Sequence, residues 1–203
     1  MGWKVERTLD LMRQILASGD QALADLAIAG DDDIDATNLS LTEQCYDLLR
    51  RQQPVAGDLR LVVSVIRVAS ELERIADLAL RIAKLAPEHA DLVADPLVGD
   101  VLAVMAGAGA AAEAVRVAMA AWAGHDLALA ESLSTAPSTT RHLSERLMGH
   151  LVDLRMPDAA RIAVHAAAAA QALDRIADHA RVIGARVRYL LTGDSTHLVA
   201  EVR

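Results

Sequence analysis

One eleven-residue pattern that occurs twice constrains this chain more than any other feature. The segments LERIADLALRI at 72–82 and LDRIADHARVI at 173–183 carry Leu, Arg, Ile, Ala, Asp, Ala and Ile at matching places, a spacing of 178 − 77 = 101 residues. In a chain of 203 residues that is about half the length, so the sequence reads as two copies of one unit. A second match in the same order supports this: Asp20-Gln-Ala-Leu-Ala-Asp-Leu resembles Asp126-Leu-Ala-Leu-Ala-Glu-Ser-Leu.

The unit is helical. Phe is absent and aromatics make up 2% of residues, which deprives a sheet of its preferred side chains. Gly19-Asp20, Pro54, Pro87, Pro96, Gly124 to Asp126, Pro137 and Pro157 are the points where helices start, stop or bend, and Asp20 and Asp126 stand where N-caps stand. Six helices are predicted, at roughly 3–18, 20–52, 56–85, 97–123, 126–154 and 157–191, with Pro87 to Pro96 as linker. The expected fold is all-α, with one three-helix unit over 1–88 and a second over 97–194.

Charge and composition remove several function classes. A net charge of −8 argues against general nucleic-acid binding, which needs a cationic surface. The longest strongly apolar run, Val101 to Ala112, is too short to cross a bilayer. The N-terminus enters a charged amphipathic pattern rather than a secretory apolar core, and Cys45 is the single cysteine, so a reducing cytoplasmic location is expected. There is no Gly-x-Ser-x-Gly elbow, no His-Glu-x-x-His and no Gly-Lys-Ser/Thr phosphate loop, so no catalytic apparatus is visible.

The chemistry-bearing residues are carboxylates. With about 100° per residue, Val65, Val68, Leu72, Ile75, Ala79 and Ile82 form one apolar arc, and Glu73 and Asp77 fall outside it. In the last helix Leu173, Ile176, Ile183, Val187 and Leu191 fill the equivalent arc, and Asp174 and Asp178 repeat the acidic pair. Like charges four residues apart repel, and a cation between them reverses the sign. Oxygen ligands suit Mg²⁺, Ca²⁺, Mn²⁺ or iron better than a structural zinc tetrahedron. Asp31 and Asp35 supply a second such pair for the first copy; the competing reading of Asp31-Asp32-Asp33 is an acidic kink or loop. Of the scattered histidines, His179 beside Asp178 is the one that could add a nitrogen donor.

The stretch RRQQPVAGDLRLVVSVIRVASELERIADLALRIAKL, 50–85, resembles the corresponding part of PhoU proteins, bacterial phosphate-signalling regulators, and LDRIADHARVIGARVRYLLTGD, 173–194, resembles that family's second copy. The resemblance implies two pseudo-symmetric three-helix bundles with metal bound by paired Glu/Asp-x-x-x-Asp motifs. Glu73, Asp77, Asp174 and Asp178 match the principal motifs, and Asp31 and Asp35 match the partner motif. It further implies a divalent or trivalent Mg, Mn, Fe or Zn ion. The implied partners are a phosphate ABC transporter and a sensor histidine kinase, with membrane association only through them, no nucleic acid, and a homodimer left open. The implied role is a non-enzymatic negative regulator of phosphate uptake and phosphate-starvation signalling. The alternative is a carboxylate helical bundle acting as a metal store or enzyme, but such enzymes turn their ligands into the core and add Glu-x-x-His pairs.

The two copies are not equivalent. Aligning Asp20 with Asp126 sets Pro137 and Arg141 where the first copy has Asp31 and Asp35, and an arginine disfavours a neighbouring cation. The second site is therefore expected to be weaker or empty.

Overall fold

The computed structural model of the chain describes residues 1–85, 99–152 and 159–201. Its elements are α1 (Gly2–Ser18), α2 (Gln21–Ala29), α3 (Asp31–Gln52), α4 (Ala56–Leu85), α5 (Gly99–Gly124), α6 (Leu127–Thr135), α7 (Thr139–Val152), α8 (Ala159–Thr192) and a closing 3₁₀ turn, Ser195–Glu201. No strand occurs among the described residues, as the composition requires. The linker expected at Pro87 to Pro96 lies outside them.

Caps explain several boundaries. Gly19 ends α1 in the left-handed conformation, φ 67°, and its N–H donates to Ile15 O. The Asp20 carboxylate then accepts from the Ala22 N–H at 2.8 Å, and Asp126 repeats this on Leu129 N–H at 3.0 Å, so both expected N-caps are present.

The structure departs from the sequence reading in the middle helix of each copy, which is broken in two. At Gly30 the backbone N–H closes a tight turn on Ala27 O, and the three aspartates then begin a new helix, where carboxylates suit the N-terminal dipole. In the second copy Pro137 holds Ala136 extended, ψ 135°, so α6 stops there. Each predicted three-helix unit thus has four helical segments in the same order.

The core is shared between the copies. Val5, Leu9, Met12, Val68, Leu72, Ile75 and Ile82 pack in one cluster with Val115, Leu147, Leu173, Ile176 and Ile183. The predicted apolar arcs hold, except that Val65 is only half-buried and Leu191 is substantially exposed near the end of α8. The longest helices, α4 and α8, pack together antiparallel: Glu71 meets His179, and Arg60, earlier in α4, lies against Gly193, beyond the end of α8. Gly184 allows α6 to approach α8, since a Cβ there would stand 2.9 Å from Leu133 Cδ1 and 3.2 Å from Ala130 O.

Candidate functional site

Helices α3 and α4 form an antiparallel hairpin through Gln53 to Val55, which brings the first turns of α3 beside the second half of α4. Burial raises the Asp31 carboxyl, and the charges of Asp35 and Asp77 raise it further against the opposing pull of Lys84. Glu73 behaves alike: burial comes first, then Asp77 and Asp35, with Arg74 opposing and Asp31 adding to the rise. The two predicted pairs therefore lie within electrostatic reach across the helix seam. They do not form a closed shell: among the described residues no three Asp, Glu, His or Cys groups are gathered tightly enough to hold one ion as they stand. The tetrad is a field of four repelling carboxylates, a donor set that suits a hard cation but would have to draw inward around it.

Asn38, three residues after Asp35, was not singled out from the sequence. Its Oδ1 is buried without a hydrogen-bond partner in the structure. The spacing from Asp31 and Asp35 to Asn38, four and then three residues, was the available signal.

The second copy is different. Asp178 receives Arg181 Nη1 at 2.7 Å, and Arg141 Nη2 approaches its other oxygen at 3.7 Å. Arg141 is the residue aligned with Asp35, so the arginine that the alignment set against a cation lies beside the second acidic pair. Asp174, one turn earlier, keeps a buried Oδ1 without a hydrogen-bond partner. The donor set here fits a cation poorly, because Asp178 already has two guanidinium neighbours.

His179 does not join Asp178. Its Nδ1 is 2.6 Å from Glu71 Oε2, in the other copy, and Arg74 Nη1 lies 3.3 Å from Glu71 Oε1. Glu71 is buried, on the side of α4 that faces α8. Its place among Ser64, Val68, Leu72 and Ile75, on the apolar side of the helix, was the sequence signal that a buried partner must exist.

With this geometry in hand, the chain can be set beside known proteins. The PhoU domain model matches residues 1–86. The phosphate-specific transport system accessory protein PhoU homolog of Pseudomonas putida is 31% identical, over 98% of this chain and 78% of that protein. The crystal structure of PhoU from Pseudomonas aeruginosa has a TM-score of 0.89 at 30% identity, covering 96% of this chain and 93% of that one. The phosphate transport system regulatory protein PhoU from Streptococcus pneumoniae has a TM-score of 0.82 at 25% identity, covering 95% and 90%. Two internal copies, capped alike, with the repeated acidic pair on paired long helices and relatives matched along nearly the whole chain, make this protein a member of the PhoU family.

Proposed function

We propose that this protein is a non-enzymatic regulator of phosphate uptake and phosphate-starvation signalling, acting in the cytoplasm through contacts with a phosphate ABC transporter and a sensor histidine kinase. Family membership supports the accessory role in phosphate transport. No helix among the described residues is long and apolar enough to cross a membrane, in keeping with membrane contact made only through partners. The observation that carries the reading is the carboxylate field of Asp31, Asp35, Glu73 and Asp77 on a rigid helical seam, a surface whose charge a Mg, Mn, Fe or Zn ion would reset. The store or enzyme reading is disfavoured because the main core cluster is built of apolar side chains, with these acids outside it.

Two measurements test this. In a cell lacking its own copy, this chain should restore repression of a phosphate-starvation reporter in phosphate-rich medium; an unchanged reporter refutes the regulatory role. Metal titration of Glu73→Ala/Asp77→Ala beside Asp174→Ala/Asp178→Ala should show loss of tight binding only in the first. Equal losses, or a larger loss from the second pair, would refute the asymmetry between copies.

A further inference from the structure

The carboxylate field is one end of a longer surface. On α3, Asp31, Asp35, Leu39, Thr42 and Tyr46 follow one another at four, four, three and four residues, which places them along one stripe. On α4, Leu59, Val63, Ile66, Ser70, Glu73 and Asp77 do the same. Each stripe is apolar towards the hairpin turn and acidic away from it. The helices are antiparallel, and the acidic ends sense one another across the seam, so the apolar ends adjoin as well.

The apolar end is unusually open. Leu39 and Tyr46 are each 61% exposed, Leu59 is 41% and Val63 is 37%. Over 22 residues α3 buries only Ile34 and Cys45, far fewer than the twelve buried residues of α4. Aliphatic and aromatic groups exposed side by side beyond what packing needs mark an interaction surface.

Charge decides the occupant. Near the hairpin turn Arg50 and Arg51 are both engaged by Asp47, at 2.8 Å each, and with Glu43, Asp58 and Arg60 the segment 43–60 sets three acids against three bases, so that end is close to neutral. At the other end the four carboxylates are joined by exposed Asp32 in the first turn of α3, while Asp33 lies on the α1 side of that helix. Of the cations there, Arg74 is held by Glu71, and Lys4 donates to Asp33 O and Thr37 Oγ1. Lys84 and the exposed Arg81, one turn beyond Asp77, remain as two opposing charges against the carboxylates.

We propose that the outer α3/α4 face docks a basic amphipathic helix of a partner protein, its apolar side on Leu39, Tyr46, Leu59 and Val63 and its lysines or arginines at the carboxylate end. The stripe from Leu59 to Asp77 is about 27 Å long at 1.5 Å per residue, which matches a helix of about five turns. This deepens the partner-contact reading above and rests on it for the partner's identity, though not for the surface itself.

The probe is a pair of labelled synthetic helices of about 18 residues with the same leucine stripe, one ending in four lysines and the other in four glutamates. Fluorescence anisotropy in chelated, low-salt buffer should give a Kd at least tenfold tighter for the lysine peptide. Tyr46→Glu/Leu59→Glu should weaken that peptide at least tenfold while circular dichroism stays unchanged. Equal binding of the two peptides, or of either protein, overturns the proposal without relying on any one variant. A second arm uses the purified transporter ATPase and the kinase's cytoplasmic part from the source cell. If both bind wild type and Tyr46→Glu/Leu59→Glu equally, the surface is wrong although the partners stand. If neither binds but the peptides behave as expected, the partners are wrong although the surface stands. A wild-type dimer in sedimentation that Tyr46→Glu dissociates would assign the face to a second copy and overturn the proposal.

Discussion

Asp31 and Glu73 hold their protons more tightly in the folded chain than in the unfolded one, because burial and neighbouring carboxylates disfavour their charged forms. Their contribution to stability is therefore most favourable below the ordinary carboxylate range and declines as pH rises through it into the raised values. Asp31→Asn/Glu73→Gln removes the declining contribution. In chelated buffer at pH 7 the double variant should melt about 1–2 °C higher than wild type, on the scale of a few tenths of a kcal/mol for each like-charge pair relieved. At pH 3.5 the advantage should vanish. A variant that melts lower at pH 7 would mean that the carboxylates are held by favourable contacts instead. At this same scale the sequence paired the acids along each helix and marked Glu71 as needing a partner, but it did not pair Glu71 with His179. Spacing along one helix reports which side chains share a face, whereas Glu71 and His179 meet only because two distant helices cross.

Helix ends were legible wherever a single residue decides them. Gly19 acts through its own backbone freedom, and Asp20 and Asp126 through their side-chain oxygens, with no help from the fold, whereas the left-handed residue after α5 is His125, φ 51°, rather than Gly124. Pro137 is named as a stop or bend and an acidic kink at Asp31 to Asp33 as the competing reading, yet the helices 20–52 and 126–154 run through both breaks, because the apolar positions on either side, Ala27 and Ile34, Leu133 and Leu147, keep a helical spacing of seven or fourteen residues. The hairpin turn between α3 and α4 carries an unspent gain. Gln53 closes α3 in the left-handed conformation at φ 46°, which costs a side-chain-bearing residue about 1–2 kcal/mol, while glycine adopts it freely. Glycine also adds disorder to the unfolded chain, worth about 0.5–1 kcal/mol. Gln53→Gly should therefore raise stability by about 0.5–1 kcal/mol in denaturant unfolding, and a lower midpoint would show that the glutamine side chain makes a contact that outweighs the backbone cost.

At the scale of the whole molecule, the duplication read from sequence is real in element order but does not produce two independent bodies. The main hydrophobic cluster runs from Val5 through Ile82 into Val104 and on to Ile183. A fragment of residues 1–88 would expose Val68, Leu72, Ile75 and Ile82 wherever they now rest on the second copy. The full chain should unfold in one calorimetric transition, and the isolated fragment should bind a hydrophobic dye without a sharp melt. Two resolved transitions in the full chain would contradict the shared core. Sequence could not decide this, since an apolar stripe looks the same whether its partner is the chain's own unit or the neighbouring one.

The arginine beside Asp178 has a wider consequence. The two halves of the duplicated scaffold differ at an aligned position, where the first has Asp35 and the second has Arg141, a counter-ion carried in the chain itself. That half has its charge balance set at synthesis. The half with Asp31, Asp35, Glu73 and Asp77 has Lys84 set against Asp31 and Arg74 against Glu73 but no arginine at the aligned position, so on the metal reading proposed above the rest of its balance comes from the surrounding solution. On that proposed reading, one molecule holds a fixed reference and a variable arm on the same frame, and the arm is the half whose charge changes between one cellular condition and the next.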